Sequence, residues 1–225
     1  MDEDPVNDRL IGRGAFLGLL GLGGAGIFYG RAAVDGLSNA LPSVASSLVP
    51  SSGWRIYTIA DTMPDIDPAA YRLRIGGLVS EPKSLSLADL KALPRTEQVS
   101  DFHCVTGWSV DGVRWAGVKM ADLLTHVGAK DSAGAVHFTS AEVPYDDSLT
   151  RKQAELDDVI LAYEMDGAPI SRPHGAPVRL VMPKMYGYKS VKWVTRIELE
   201  ATPRDGFWET HGYDADAWVD GKRAV

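Results

Sequence analysis

A single cysteine and a run of basic residues are the parts of this sequence whose side chains could do chemistry. Cys104, the one cysteine of the chain, lies in residues 100–124, which read SDFHCVTGWSVDGVRWAGVKMADLL. A thiolate is a nucleophile and a soft metal ligand, although most isolated cysteines are small buried hydrophobes. This stretch alone therefore leaves a metal ligand, a nucleophile and a structural residue open.

The basic run is residues 172–192, which contain no Asp or Glu. Its basic side chains are Arg172, His174, Arg179, Lys184, Lys189 and Lys192. In a chain of net charge −7 such a run concentrates positive potential, and phosphate is the anion that arginine forks and lysine charges suit. A solvated basic strand face is the alternative reading of the same composition.

Short strands and a few short helices must position these residues. Alternating apolar residues predict strands at 71–79, 99–102, 136–140, 178–182 and 191–199, with Cys104 in the loop after the second. Residues 118–127 are typical of a helix, as is the segment that begins at Ser86, whereas residues 156–163 are too short to assign. Without a regular βαβ alternation, the fold class predicted is α+β, mixed and β-rich.

Composition limits the kinds of protein that this chain can be. The chain has 225 residues, of which 45% are hydrophobic and 24% charged, and these are globular values. Its negative net charge argues against a nucleic-acid partner. One cysteine excludes an intramolecular disulfide and a cysteine-built zinc or iron–sulfur site.

The N-terminal residues differ in character from the rest of the chain. Residues 14–30 carry no charge, and their glycines have the small-xxx-small spacing of packed membrane helices. Residues 1–34 are therefore predicted to hold a hydrophobic helix, either a membrane anchor or a cleaved export signal, with the folded part outside the cytoplasm, in the periplasm or cell envelope. We expect a linker at 35–53, the globular domain at 54–213 and a tail at 214–225.

Two long motifs carry a resemblance to a known family. The segment HCVTGWS followed by RWAGVKMADLL, and then residues 156–200 almost from end to end, resemble the sulfite oxidase family of molybdopterin-dependent oxidoreductases. The likeness extends over residues 55–213. It implies a sulfite-oxidase-type molybdopterin-binding domain with one Mo-molybdopterin per chain.

The resemblance also implies roles for particular residues. Cys104 matches the cysteine that ligates molybdenum. The positions that match cofactor contacts are Tyr57, Thr58, Ser140, His174, Arg179, Ser190 and Lys192. His103, Lys184 and Tyr186 are candidates for the substrate pocket, because they lie near these positions in sequence.

The tryptophans, Asp146–Asp147 and Asp157–Asp158 are expected to be structural, with the acids on solvated faces.

The chain also departs from that family in ways that bear on its substrate. Sulfite oxidases carry an arginine close behind the ligating cysteine, and residues 105–110 contain none. The layout resembles bacterial members that consist of a catalytic domain alone, such as the periplasmic methionine sulfoxide reductase subunit, which works with a membrane haem partner.

We therefore expect two-electron oxygen-atom transfer on an S- or N-oxide, either a small molecule or an oxidised side chain, with the metal cycling between Mo(VI) and Mo(IV). A separate redox protein, such as a membrane haem protein, would exchange the electrons. The alternatives are a cofactor-free binding or assembly module on the same fold, and a thiol enzyme that uses Cys104 as its nucleophile.

Overall fold

The structure is a computed structural model that describes residues 53–219 and the backbone of residues 9–11. Its strands are β1 (Arg9–Ile11), β2 (Arg55–Tyr57), β3 (Leu73–Gly77), β4 (Lys83–Leu85), β5 (Thr96–Cys104), β6 (Trp108–Lys119), β7 (Ala135–Ser140), β8 (Asp146–Thr150), β9 (Ile160–Met165), β10 (Ala168–Pro169), β11 (Arg179–Val181) and β12 (Val194–Glu200). Its α-helices are α1 (Leu87–Lys91), α2 (Met120–His126) and α3 (Arg151–Ala154). Short 3₁₀ turns occupy Arg172–His174, Gly187–Lys189 and Glu209–His211.

The predominance of strands over short helices confirms the predicted β-rich, mixed α+β class. The hydrophobic helix predicted within residues 1–34 lies outside the described residues, as does the linker apart from Gly53. Among the helices that the structure does describe, none has the length and apolar character needed to cross a bilayer.

Two five-stranded sheets form the body of the domain. One has the order β10-β9-β6-β5, with β11 also paired to β9, and β5 and β6 form a long antiparallel hairpin. The other has the order β4-β3-β12-β7-β8, in which β3 and β12 run parallel and the remaining pairs are antiparallel. Strand β2 lies outside both sheets and pairs in parallel with β1.

The main hydrophobic core joins the two sheets and the three helices. It includes Leu73 and Phe138 from one sheet, Leu161 from the other, and Leu90 and Leu123 from α1 and α2, all at most 1% exposed. A smaller cluster packs on the first sheet and contains Val113, Trp115, Ile160, Ala162, Ile170 and Val181.

Residues 156–163, which were too short to assign to a helix or a strand from the sequence, overlap strand β9. Leu161 belongs to the main core, whereas its neighbours Ile160 and Ala162 belong to the smaller cluster. Because successive side chains of a strand point to opposite faces, a strand buried on both faces reads as one continuous apolar run and loses its alternation.

The helix predicted to begin at Ser86 is confirmed in detail. The side chains and backbones of Ser86 and Asp89 form a capping box at the start of α1. In strand β3, Gly77 has a φ of +80°, and a Cβ atom there would stand 2.2 Å from the carbonyl oxygen of Leu199, so this position requires glycine.

Two predictions need correction. Cys104 is the last residue of β5, paired with Trp108, rather than part of a loop, and the turn of the hairpin lies at residues 105–107. The second helix begins at Met120 instead of residue 118, because residues 108–119 extend strand β6 as far as its pairing with β9 continues.

A candidate cofactor cavity around Cys104

The hairpin turn between β5 and β6 holds the Cys104 side chain at the wall of a cavity. The carbonyl oxygen of Cys104 accepts a hydrogen bond from the backbone N–H of Gly107 at 3.0 Å, and Gly107 adopts the positive φ of +86° that this tight turn requires. The turn fixes the strand end, so the position of the thiol is set by regular structure rather than by a long loop.

A chain of polar contacts runs from the thiol to strand β2. The Sγ atom of Cys104 lies 3.1 Å from Oγ1 of Thr106, which lies 3.4 Å from the hydroxyl oxygen of Tyr57. Trp108 donates from its indole nitrogen to the same Tyr57 hydroxyl at 3.2 Å. Burial raises the pKa of the Cys104 thiol, partly offset by the hydrogen bond from Thr106 and the charge of Arg55. A cationic metal at the sulfur is the kind of partner that would favour the thiolate.

The cavity has an empty volume of about 820 Å³, including the part open to solvent. Its walls come from three parts of the chain, namely residues 54–59, residues 102–108 and residues 142–213. Six residues predicted to contact the cofactor line it together: Tyr57, Cys104, His174, Arg179, Ser190 and Lys192. The basic run and the cysteine, 68 or more residues apart in sequence, therefore meet in one cavity.

Arg179 is a buried cation held by carbonyl groups and aromatic rings. Its guanidinium donates to the carbonyl oxygens of His174 at 3.0 Å, Ser190 at 3.3 Å and Leu180 at 3.3 Å. It also stacks over the rings of Phe102 and Trp115 at 5.6 and 5.2 Å. Burial lowers the pKa of Arg179 to about 10, so the side chain is still charged at neutral pH.

Lys192 places a second cation on the cavity wall. Its Nζ donates to the carbonyl oxygen of Tyr57 at 2.7 Å and lies 4.2 Å from the centre of the Trp193 ring. Burial lowers the pKa of Lys192 to about 7, although the charge of Glu142 acts in the opposite direction. Within residues 53–219, no carboxylate oxygen lies within 4.0 Å of either Lys192 or Arg179.

His174 and Ser190 complete the predicted group at the cavity. His174 is 5% exposed, and its ring meets that of Trp54 edge-on at a centroid distance of 4.8 Å. Burial, with the charges of Arg179 and Lys192, lowers the pKa of His174 to about 3, which keeps the ring neutral. The hydroxyl of Ser190 accepts a hydrogen bond from the backbone N–H of Met182 at 3.0 Å.

Thr58 and Ser140 lie behind the wall rather than on it. The Thr58 hydroxyl donates to the carboxylate of Glu142, which itself lines the cavity. The Ser140 hydroxyl donates to the carbonyl oxygen of Lys192 at 2.8 Å and accepts from the backbone N–H of Glu142 at 2.9 Å. Both residues therefore support side chains that face the cavity.

The three residues predicted for the substrate pocket do not line this cavity. Nδ1 of His103 lies 2.7 Å from the Ser109 hydroxyl, and Nζ of Lys184 lies 3.2 Å from the carboxylate of Asp158. Tyr186 packs against the main core. Nearness in sequence failed to predict nearness to the cavity, because neighbouring side chains in a strand or turn point in different directions.

Other cavity residues were not predicted from the sequence. Arg55 and Tyr213 both interact electrostatically with the Cys104 thiol, and Glu142, Tyr145, Tyr188 and Trp208 line the same space. Glu142 is 3% exposed, and a buried acid in a cavity rich in cations is a signal that only the fold reveals. Tyr213 and Trp208 come from a segment beyond the last strand, where no periodic pattern marks them.

Beside the cavity, three charged side chains form a buried cluster that the sequence did not predict. Nζ of Lys189 contacts the carboxylates of Asp147 and Glu209, the latter at 2.8 Å, with all three side chains at most 4% exposed. Asp147 is therefore not on a solvated face as predicted, because Lys189 supplies its countercharge. Burial raises the pKa of Asp147 to about 7.

The donor set of the cavity fits a phosphate-bearing molybdopterin. Arg179 and Lys192 offer positive charge to a phosphate without a competing carboxylate within 4.0 Å among the described residues. Cys104 offers a sulfur ligand in the same cavity, and the aromatic rings of Trp54, Phe102 and Trp108 can stack on a planar ring system. Within the described residues, no cluster of three His, Cys, Asp or Glu side chains offers an alternative metal site.

Comparison with known proteins assigns the chain to a family. The oxidoreductase molybdopterin binding domain matches residues 60–208, which is more than half of the chain. The uncharacterized oxidoreductase YuiH of Bacillus subtilis (strain 168) is 39% identical over 160 residues, which is 68% of this chain and 77% of YuiH. A provisionally named protein-methionine-sulfoxide reductase subunit YedZ1 of Azospira oryzae is 34% identical over 154 residues, covering 68% of this chain and 58% of that protein.

More distant relatives point to the same family. The sulfite oxidase of Arabidopsis thaliana is 32% identical over 178 residues, covering 64% of this chain but only 45% of the plant enzyme. The crystal structure of the sulfane dehydrogenase SoxCD from Paracoccus pantotrophus superposes with a TM-score of 0.57 at 26% identity, covering 63% of this chain and 41% of that chain. This chain therefore belongs to the sulfite oxidase family of molybdopterin-dependent oxidoreductases, whose cofactor is Mo-molybdopterin.

Proposed function

We propose that this chain is the catalytic unit of an oxygen-atom transferase that reduces S- or N-oxides with electrons from a separate redox protein. The observation that carries the proposal is that Cys104, Arg179 and Lys192 line the same cavity. When bound, the molybdenum cofactor supplies the two-electron chemistry of oxygen-atom transfer.

Each of the cavity residues matched to the cofactor would have a separate role. Cys104 would ligate the metal, and Arg179 and Lys192 would hold the phosphate end of the cofactor. His174, whose ring is neutral, and Ser190 would contact the cofactor between the metal and the phosphate. Because these residues position the cofactor rather than break bonds, no acid or base of the chain need act on the substrate.

The part of the cavity near Cys104 and Tyr213 suits a neutral oxide better than a small dianion. Tyr188, Trp208 and Tyr213 form a largely aromatic wall, with ring centroids of Tyr188 and Trp208 lying 5.4 and 5.3 Å from that of Tyr213. Arg55 supplies one cation near Cys104, which suits a polar S–O or N–O oxygen. The name of the Azospira relative also supports a sulfoxide substrate.

The reaction balances with two electrons and two protons for each oxide. A sulfoxide R₂SO would accept two electrons and two protons and yield the thioether R₂S and one water molecule. The electrons need an external donor, and we propose a membrane haem protein for this role. Export beyond the cytoplasm and attachment through residues 1–34 are part of the same proposal, motivated by the uncharged run at residues 14–30.

The direct test is a substrate screen on purified holoenzyme and on Cys104→Ser. Reduced viologen would serve as donor for sulfoxides and N-oxides, and ferricyanide as acceptor for sulfite, with molybdenum measured per chain. We expect about one molybdenum per chain in the wild type, oxide reduction, and loss of activity in Cys104→Ser. Full activity in Cys104→Ser would refute the role of the sulfur, and wild type without molybdenum from cofactor-competent cells would favour the binding module.

The thiol-enzyme alternative lacks support from the geometry. The Cys104 sulfur contacts the neutral hydroxyl of Thr106, and burial raises the pKa of the thiol, whereas an activated cysteine needs a base or a lowered pKa. Activity that is independent of molybdenum and abolished by alkylation would restore that alternative.

A further inference from the structure

Residues 54–60, here called the strap, form one wall of the cavity without belonging to either five-stranded sheet. Five of these residues line the cavity: Trp54, Arg55, Ile56, Tyr57 and Ile59. Strand β2 within the strap pairs only with β1 among the described strands. Its attachment to the body of the domain therefore depends on side-chain contacts.

The far end of the strap is held by one carboxylate oxygen. Oε1 of Glu142 accepts hydrogen bonds from the backbone N–H groups of Ile59 at 2.8 Å and Ala60 at 3.3 Å, and also from the Thr58 hydroxyl. These contacts join residues 82 to 84 positions apart in sequence. Hydrogen bonds to a buried charged acceptor are stronger than neutral ones, so this single side chain closes that end.

Further contacts hold the middle of the strap, at Tyr57, and its near end, at Trp54. Lys192 donates to the carbonyl oxygen of Tyr57, and the Trp54 ring packs against Phe102 and His174 at centroid distances of 4.9 and 4.8 Å. Ser140 bonds to the backbones of both Glu142 and Lys192, which sets the two holding residues relative to each other.

A buried acid in a cavity for an anionic cofactor needs an explanation, because its charge would repel phosphate. The bonds from residues 58–60 supply one, since these three donors stabilise the buried carboxylate and hold it on the strap. We propose that Glu142 is a positioning residue that closes the strap over the bound cofactor and thereby slows its release. This inference rests on the proposed function for the identity of the enclosed group.

The test compares Glu142→Ala with Glu142→Gln, whose amide oxygen can still accept from the same donors. Holoenzymes would be diluted at 25 °C and the released pterin followed by the fluorescence of its oxidised form, with molybdenum per chain measured in parallel. We expect Glu142→Ala to release cofactor about tenfold faster or more, and Glu142→Gln to stay within about threefold of wild type. Glu155→Ala, an exposed carboxylate paired with Arg151, is the matched control and should behave as wild type.

A second measurement tests directly whether the hydrogen bonds of the strap are present. Hydrogen exchange of cofactor-free protein should show faster exchange of the Ile59 and Ala60 amides in Glu142→Ala, with strand β12 unchanged. Thr58→Val, which removes one donor, gives an intermediate effect and serves if Glu142→Ala does not fold. Wild-type release and protected amides in folded Glu142→Ala or Thr58→Val would overturn the proposal, as would a Gln variant as defective as Ala.

The two proposals fail in different ways. Wild-type protein without any pterin would refute the proposed function, while the exchange of the Ile59 and Ala60 amides would still report on the strap. Normal pterin content with unchanged release and exchange in the variants would refute the strap alone.

Discussion

Nζ of Lys192 donates a hydrogen bond of 2.7 Å to the carbonyl oxygen of Tyr57, a residue 135 positions earlier in the chain. The ammonium is also stacked on Trp193 and partly withdrawn from water. It is therefore poised to change charge near neutral pH unless an anion lies beside it.

This position of Lys192 predicts a pH-dependent affinity for anions in the cofactor-free protein. Because burial lowers the pKa of Lys192 to about 7, the side chain is charged below that pH and loses its charge as the pH rises through it. We expect the affinity for sulfate, whose own charge is constant, to fall about tenfold between pH 6 and pH 8, measured by calorimetry. Lys192→Met should bind weakly at both pH values, and exposed Lys152→Met should match wild type; a flat wild-type profile would contradict the assignment.

Arg179 should not tolerate replacement by lysine. Its guanidinium reaches three carbonyl oxygens and two aromatic rings at once, which a lysine ammonium cannot reproduce. We expect Arg179→Lys to lower the free energy of unfolding by about 1–3 kcal/mol and to reduce cofactor content. Exposed Arg74→Lys is the control. Wild-type stability and cofactor content in Arg179→Lys would show that charge alone suffices.

The buried cluster of Lys189, Asp147 and Glu209 predicts opposite effects of two substitutions. Lys189→Met leaves two buried carboxylates without a cation and should cost about 3–5 kcal/mol, measured by urea unfolding at pH 8. The loss should shrink at pH 5, below the raised pKa of Asp147, where that carboxylate takes up a proton. An equal loss at both pH values would argue against buried charge as its cause.

Asp147→Asn should be mild or stabilising at pH 8, because Glu209 still pairs with Lys189. Burial raises the folded-state pKa of Asp147 from 3.8 to about 7, so the folded protein favours the protonated form. Its stability therefore falls as the pH rises from about 4 to about 7, and the asparagine variant should lack this fall. The comparison needs unfolding curves for both proteins across that range, and identical pH dependences would count against it.

Gly187 should tolerate no side chain, because it touches an aromatic wall of the cavity. A Cβ atom there would stand 2.2 Å from Cζ of Phe102, whereas a Cβ atom at Gly76 would meet open space. We expect Gly187→Ala to displace the Phe102 ring, to cost about 1–3 kcal/mol and to lower cofactor content. Gly76→Ala is the matched control, and equal behaviour of the two variants would refute the packing argument.

Cys104, Arg179 and Lys192 could be named from the sequence because they lie in long contiguous motifs, and the fold brings all three to one cavity. Glu142 and Arg55 escaped prediction, since each reaches the cavity through contacts with segments far away in sequence. Their roles depend on the fold that brings residues 54–60 against residues 140–145.

Strand β6 shows a second limit. Asp111–Gly112 resembles a hairpin turn, yet these residues lie inside the strand where the pairing with β5 shifts register between Ser100 and Phe102. The backbone N–H of Gly112 bonds to the Asp101 carboxylate at 2.8 Å, and its positive φ of +65° accommodates the irregularity. A dipeptide that favours a turn therefore serves here as a bulge, because long-range pairing continues on both sides.

The last wall of the cavity comes from Trp208 and Tyr213, far along the chain from the strap. During synthesis these two residues emerge from the ribosome after the residues that form the other walls. A polypeptide arrested before residue 208 would expose Cys104 and the cationic wall to water on one side. We therefore expect a chain that ends before residue 208 to retain the pterin less well than the full chain, because this wall of the cavity would be missing.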